Sequence, residues 1–289
     1  MTLYLVATPI GNLEDITLRA LRILREVPLI AAEDTRRARV LLQHYGIPTP
    51  VTSYHDVNKR SKLPALLAKL REGDLALISE AGMPAINDPG YELVAAAAAA
   101  GIPVVPIPGP SAPIAALAVS GLPSDRFVYE GFLPRKAGER RQALRALARE
   151  RRTIVLLEAP HRLRDSLTDL LAELGNRPIA VCRELTKLHE EIYRGDVAGA
   201  LAHFTAPRGE FVLVLAGASS AAPDIPLDDQ IAAGLAAGIP PARLAAALAA
   251  ASGARRQEVY RAILAQSPGT GSQHKTEAAD PTENRRSIR

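Results

Sequence analysis

Short apolar runs alternate with longer amphipathic stretches along most of the chain. Runs of strand length stand at 3–7, 29–32, 75–78, 104–107, 127–132, 153–157, 179–182 and 211–216. Between most of them lies enough chain for a helix, with helical spacing of apolar positions in stretches such as 16–26 and 63–72. This rhythm predicts the α/β class. Strands apolar on both faces and joined through helices are expected to pair in parallel, with ligands held at their carboxyl ends, where loops and helix N-termini gather. The loops to watch are therefore 8–17, 33–39, 79–91, 108–114 and 158–164.

Two breaks interrupt the rhythm. Gly121-Leu122-Pro123-Ser124 follows a helical pattern and precedes a strand-like run, which predicts one α/β domain over 1–121 and a second over 122–218. The stretch 217–226 is rich in Ala, Ser and Pro, and the segment 225–266 reads as Ala-rich helices around a tight Gly238-Ile239-Pro240-Pro241 turn. The spacing there is that of a helix, a Gly turn and a second amphipathic helix, either a packing hairpin or a nucleic-acid-reading helix-turn-helix. Residues 267–289 hold almost no large apolar side chains and are expected to be disordered.

Composition narrows the class. A chain of 289 residues, 47% hydrophobic and 23% charged, suits a soluble two-domain protein. Its one cysteine, Cys182, excludes an internal disulfide and any multi-cysteine metal site, so no metal is expected and the compartment reads as cytoplasmic. The opening segment reads as a strand and not as a signal peptide. The longest apolar run, 93–107, is broken by Gly101, Pro103 and Pro106 and is too short to span a membrane. With no Trp and only 4 Phe and 7 Tyr, any nucleic-acid contact is expected to fall mainly on backbone.

The net charge of +4 is modest but unevenly spread. Residues 1–134 carry 12 Lys and Arg against 13 Asp and Glu, whereas 135–165 carry 10 against 4. That basic tract reads either as a solvated helix face or as a surface for RNA phosphates, which the guanidinium fork suits.

A GxxxxGK(S/T) phosphate loop is absent, and the only G-x-G, Gly269-Thr270-Gly271, lies in the polar end. In the watched loops stand TPIGNLEDIT, AAEDTR, SEAGMPAINDPG and PIPGPSA. SYHDVN, SGLPSDRFVYEGFLPRK, LLEAPHRL, CRELTKLHEE and GEFVLVLAG complete the series. This ordered set resembles the tetrapyrrole methylase superfamily over about residues 1–265, and within it the branch that methylates a cytidine ribose 2′-oxygen in small-subunit (16S) ribosomal RNA. The sequence departs from that branch's pattern where Met83, Ala85 and Asn87 replace Thr, Gly and Ser.

The resemblance implies two α/β domains of the tetrapyrrole methylase type with S-adenosylmethionine in the cleft between them, a homodimer, the small ribosomal subunit as partner and a C-terminal helical module. It places Pro9, Gly11, Gly82, Met83, Ile86, Ser111, Ala112, Leu157, Glu184 and Glu210 at the cofactor. Glycines in these turns let backbone approach a ligand and prolines stiffen them. Asp34, Arg36, His55, Glu80 and Asp88 are expected to line the acceptor side. For Asp34 and Asp88 a helix N-cap is the competing role, and no single proton acceptor is singled out. Arg135, Lys136, Arg140, Arg141, Arg255 and Arg256 are the expected RNA contacts. The alternatives are a small-molecule C-methylase of the tetrapyrrole kind and a non-catalytic ribosome-binding homologue.

Overall fold

The computed structural model describes residues 1–219, 227–252 and 254–266. The expected disordered end at 267–289, most of the Ala/Ser/Pro stretch and the Gly253 turn lie outside the described residues. Met1–Ser219 and Ser220–Arg289 are separate compact units.

The first half of the larger unit alternates strand and helix: β1 (Leu3–Val6), α1 (Leu18–Glu26), β2 (Ile30–Ala32), α2 (Thr35–His44), β3 (Val51–Ser53), α3 (Lys59–Leu70), β4 (Leu75–Ile78), α4 (Tyr91–Ala99), β5 (Val104–Ile107) and α5 (Ala112–Val119). The strands form one sheet in the order β3-β2-β4-β1-β5, every pair parallel. β2 and β4 are buried along their whole length, which is why they read as unbroken apolar runs. Side chains such as Ile23, Leu24 and Leu42 cover one face and Leu66, Leu70 and Leu93 the other.

A second sheet takes β6 (Phe127–Phe132), α6 (Ala137–Ala146), β7 (Thr153–Glu158), α7 (Leu163–Leu174), β8 (Pro178–Arg183), β9 (Glu191–Asp196), α8 (Val197–His203) and β10 (Phe211–Leu215). Its order is β6-β7-β10-β8-β9, and here the expectation of parallel pairing fails. Only β6 and β7 run parallel; β10 is antiparallel to both neighbours and β8 to β9. The link from β8 to β9 is too short for a crossover helix, so the chain can only return antiparallel. Two strands escaped the apolar pattern, β3 and β9. Both are sheet edges, and β9 is the polar sequence EIYRGD with no fully buried residue.

The basic tract is largely consumed inside this second half. Arg140 is expected from sequence to bind RNA, yet its side chain is only 6% exposed and its Nε donates to Asp169 Oδ2 at 2.7 Å. Arg141 takes the other oxygen of the same carboxylate at 2.9 Å, and Arg145 pairs with Glu173. These contacts clamp α6 on α7, and the correction is physical: a buried guanidinium committed to a buried carboxylate is not free for phosphate. Arg164 is likewise bonded to the carbonyls of Leu201 and Phe204.

The smaller unit comprises α9 (Leu227–Ala236), α10 (Pro241–Ser252) and α11 (Arg256–Gln266) around Ile231, Leu244, Ala245, Val259 and Ile263. Arg255 and Arg256 stand exposed at the start of α11. No helix among the described residues is long and apolar enough to cross a membrane.

Removing Asp169 leaves Arg140 buried without its counter-charge. Asp169→Ala is expected to lower the unfolding free energy by about 3–5 kcal/mol in urea titration. Arg145→Ala, at an exposed pair, should change it by less than about 1 kcal/mol.

Candidate active site

In a parallel sheet all strands end at one edge, and the loops that leave it share that space. The loop after β1 is pinned there by a two-way backbone bridge: Thr8 N–H donates to the Gly82 carbonyl at 2.9 Å and Gly82 N–H to the Thr8 carbonyl at 3.0 Å. From Gly82 the chain runs to α4 through left-handed backbone at Gly82 (φ 76°), Ala85 (φ 69°) and Asn87 (φ 61°). Ala85, where the resembling pattern has Gly, holds this left-handed backbone at roughly 1–2 kcal/mol of strain. Asn87 packs on Gly131 of β6, where any Cβ would collide with the amide. A bulge between Tyr129 and Gly131, with Gly131 at φ 64°, opens that space.

These turns and the second sheet enclose a cavity of about 360 Å³. Of the expected cofactor residues it is lined by Gly82, Met83, Ile86, Ser111, Ala112, Leu157 and Glu210, and of the acceptor residues by Glu80 and Asp88. Leu157, Cys182, Phe211 and Val212 give it an apolar side. Ser111 precedes α5 without capping it through its side chain, and because Pro113 in the first turn carries no N–H, only the Ala112 and Ile114 amides are left there without a side-chain acceptor.

Other expected residues lie elsewhere. Pro9 borders a separate shallow depression with Thr8 and Leu13. Gly11 lies against Leu185, Thr186 and Lys187, and Asn12 N–H donates to Thr186 Oγ1 at 3.0 Å. Glu184 is off the wall: its Oε1 accepts from Lys187 Nζ at 2.9 Å and from Glu210 N–H at 2.9 Å. Asp34 is the N-cap of α2, accepting from Arg36 N–H at 2.7 Å and from the Arg36 side chain. Those bonds hold its carboxyl down at about 2. Asp34 and Arg36 therefore serve each other and the helix. His55 N–H donates to Asn58 Oδ1 at 2.9 Å, closing SYHDVN into a local turn outside the cavity wall.

Arg37, Asn87, Tyr129, Phe132 and Glu158 are on the wall without having been expected at the site. Glu33, which shares with Asp34, Glu80 and Asp88 the loops at the carboxyl edge where a proton acceptor is expected, is there too. For Glu33 a signal existed: in Glu33-Asp34-Thr35-Arg36 the Asp is the natural cap, which leaves the Glu before it to face the cavity. Glu80 N–H donates to Glu33 Oε2 at 3.3 Å, and Arg37 Nη1 lies 3.3 Å from Glu80 Oε2.

Crowding of carboxylates shapes the electrostatics. Asp88 is pushed up to about 6, first by burial and then by the charge of Glu33. Burial also raises Glu33, with the charges of Glu80 and Asp56 adding to it against the Glu80 amide. Tyr129 is pushed up to about 12 by burial and by Asp88, and burial takes Cys182 up to about 11, keeping the thiol protonated. Because folding raises the Asp88 pKa, the folded chain binds that proton more tightly than the unfolded one. Its contribution is therefore most favourable at low pH and is lost as pH rises from the ordinary carboxylate range through about 6. Asp88→Asn should raise the Tm at pH 8 by about 2–4 °C, allowing for partial solvent screening, and leave it unchanged near pH 3.5, as scanning calorimetry would show.

Residues 2–201 match the family model of tetrapyrrole (corrin/porphyrin) methylases. Ribosomal RNA small subunit methyltransferase I of a Synechocystis strain is 58% identical over 221 residues, 75% of this chain and 79% of that protein. The protein of the same name from Escherichia coli O157:H7 is 49% identical over 271 residues, 91% of this chain and 95% of its own. Among solved structures, diphthine synthase superimposes with TM-score 0.59 at 16% identity, covering 75% of this chain and 90% of its own. Uroporphyrin III C-methyltransferase from Thermus thermophilus does so with TM-score 0.54 at 22% identity, covering 75% and 97%; these two likenesses concern the fold alone. The chain belongs to the tetrapyrrole (corrin/porphyrin) methylase family, among the relatives named ribosomal RNA small subunit methyltransferase I.

Proposed function

We propose that the protein transfers a methyl group from S-adenosylmethionine to the ribose 2′-oxygen of a cytidine in 16S ribosomal RNA, acting in the cytoplasm on the small ribosomal subunit as a homodimer. The observation that carries this reading is the 49% identity spread over 95% of a relative named for small-subunit ribosomal RNA methylation. That likeness favours it over a small-molecule C-methylase or a non-catalytic homologue.

The cavity suits the cofactor. Its volume lies in the range of about 300–1,000 Å³ usual for small-ligand sites. Its apolar side offers room for the adenosine, and the acidic residues suit a cation. Met83, Ile86, Ser111, Ala112 and Leu157 would hold it, and the sulfonium supplies the methyl group.

The protein's larger contribution is alignment, since displacement at carbon needs the acceptor oxygen in line and at near-attack distance. Asp88 is the proton acceptor in this reading: it lines the cavity, and at about 6 it is ionised at neutral pH yet basic enough to take a hydroxyl proton. Burial, and after it the charge of Glu33, keeps that carboxylate basic, and the Arg37–Glu80 pair borders the same wall. Arg135, Lys136, Arg255 and Arg256 are exposed cations for the RNA.

The test is transfer of labelled methyl to small subunits from a strain lacking the activity, followed by nucleoside digestion. Label is expected in 2′-O-methylcytidine; label elsewhere, or none, overturns the reading. The kcat/KM of the wild type should rise with pH up to about 6 and then level, and Asp88→Asn should lose about 10²–10⁴-fold together with that limb.

A further inference from the structure

We infer that Arg162 is a positioning residue that holds a lip of the cavity, residues 132–136, in place to receive an unpaired segment of the acceptor RNA. The inference rests on the methyl-transfer reading above. It begins with Glu158, the last residue of β7, whose side chain is wholly buried on the cavity wall. That carboxylate accepts from the Ser166 hydroxyl of α7 and from Ala159 N–H at 2.8 Å.

Arg162 lies beside it, with Nε 3.3 Å from Glu158 Oε1. The approach is ion-paired but misaligned, and this buried Nε–H has no hydrogen-bond acceptor. The fork is turned instead toward the chain leaving β6: Nη2 donates to the Leu133 carbonyl at 2.6 Å and lies 3.2 Å from the Pro134 carbonyl. A guanidinium that gives up a charge-assisted bond to a buried carboxylate in favour of two neutral carbonyls has its position set by that turn. Glu158 supplies the counter-charge that makes its burial tolerable.

The braced turn is built for nucleic acid. Phe132 lines the cavity and is 52% exposed, an aromatic face at the mouth of a site that must admit one nucleotide. Arg135 and Lys136 follow within four residues, both exposed, and Lys136 has only a solvent-exposed pairing with Glu139. A ring for stacking beside two cations for phosphate is the chemistry of a single-strand contact. The remaining arginines of the tract do not share this place. Arg140 and Arg141 are committed to Asp169, and Arg149, Arg151 and Arg152 precede the amino end of β7, a strand's length from Glu158.

Arg162→Lys separates charge from geometry, because an ammonium can stay near Glu158 but cannot span both carbonyls. With the full-length enzyme and undermethylated small subunits, KM for the subunit is expected to rise about tenfold. The kcat and the affinity for S-adenosylhomocysteine should stay within about twofold. Arg135→Ala/Lys136→Ala should raise KM similarly, and the triple variant should be no worse than the double, since all act through one lip. An unchanged KM, KM effects that multiply, or a loss confined to kcat and cofactor affinity each overturn the proposal. If Arg162→Lys does not fold, Glu158→Gln/Arg162→Met removes brace and buried charge together and must show the same KM rise. Inactive wild type would sink the methyl-transfer reading instead; RNA filter binding by the same variants would then decide the lip, with unchanged affinity overturning it.

Discussion

Two backbone hydrogen bonds between Thr8 and Gly82 hold the arrangement on which the site depends. They join the loop after β1 to the turn after β4, two parallel neighbours whose carboxyl ends already lie together. From that anchor the backbone is forced through left-handed conformations at Ala85 and Asn87. Such strain persists only where the surroundings over-determine it. Here they do: Asn87 sits in the space Gly131 leaves open, so the first sheet's turn is keyed into the second sheet's bulge. Met83, Ile86 and Asp88 face the cavity because the residues between them are pinned from both sides.

Charge is sorted by the same logic of neighbours. Where a carboxylate and a guanidinium are both buried, as in Asp169 with Arg140, they join helices, and neither can be lost without stranding the other's charge. Where acids crowd with incomplete compensation, burial and neighbouring negative charge together raise the pKa of Glu33 and of Asp88 and supply basicity. The Glu158–Arg162 pair lies between these regimes, buried like the first and on the cavity wall like the second. A count of arginines misses this division, because burial decides which of them can meet a phosphate.

The α/β alternation was legible because fully covered strands must be apolar on both faces, and the first sheet follows that rule. Two of the edge strands, β3 and β9, were not, since a strand open to water along one side, like the polar β9, carries no apolar run. One side of the cavity wall was legible in the GMPAIND and PGPSA turns, whose Gly and Pro dictate local backbone whatever the surroundings. Asp34 and Glu33 mark the limit. Cap preference marks Asp34 as the one bound to the helix start, but that the other acid reaches the cavity is settled only by what stands across from it.

Sequence by itself determined the fold class, the loops that build the site and, through the ordered motifs, the family, because each depends on local backbone preference or on strings too long to arise by chance. Only the tertiary structure decided that Arg140 is an internal strut, that β10 pairs antiparallel on both sides, and that Asp88 titrates near neutrality. Each of these depends on what lies across space from a residue. Desolvation and Coulomb energies are set by neighbours far apart in the chain, and pairing direction by how a connecting segment must return.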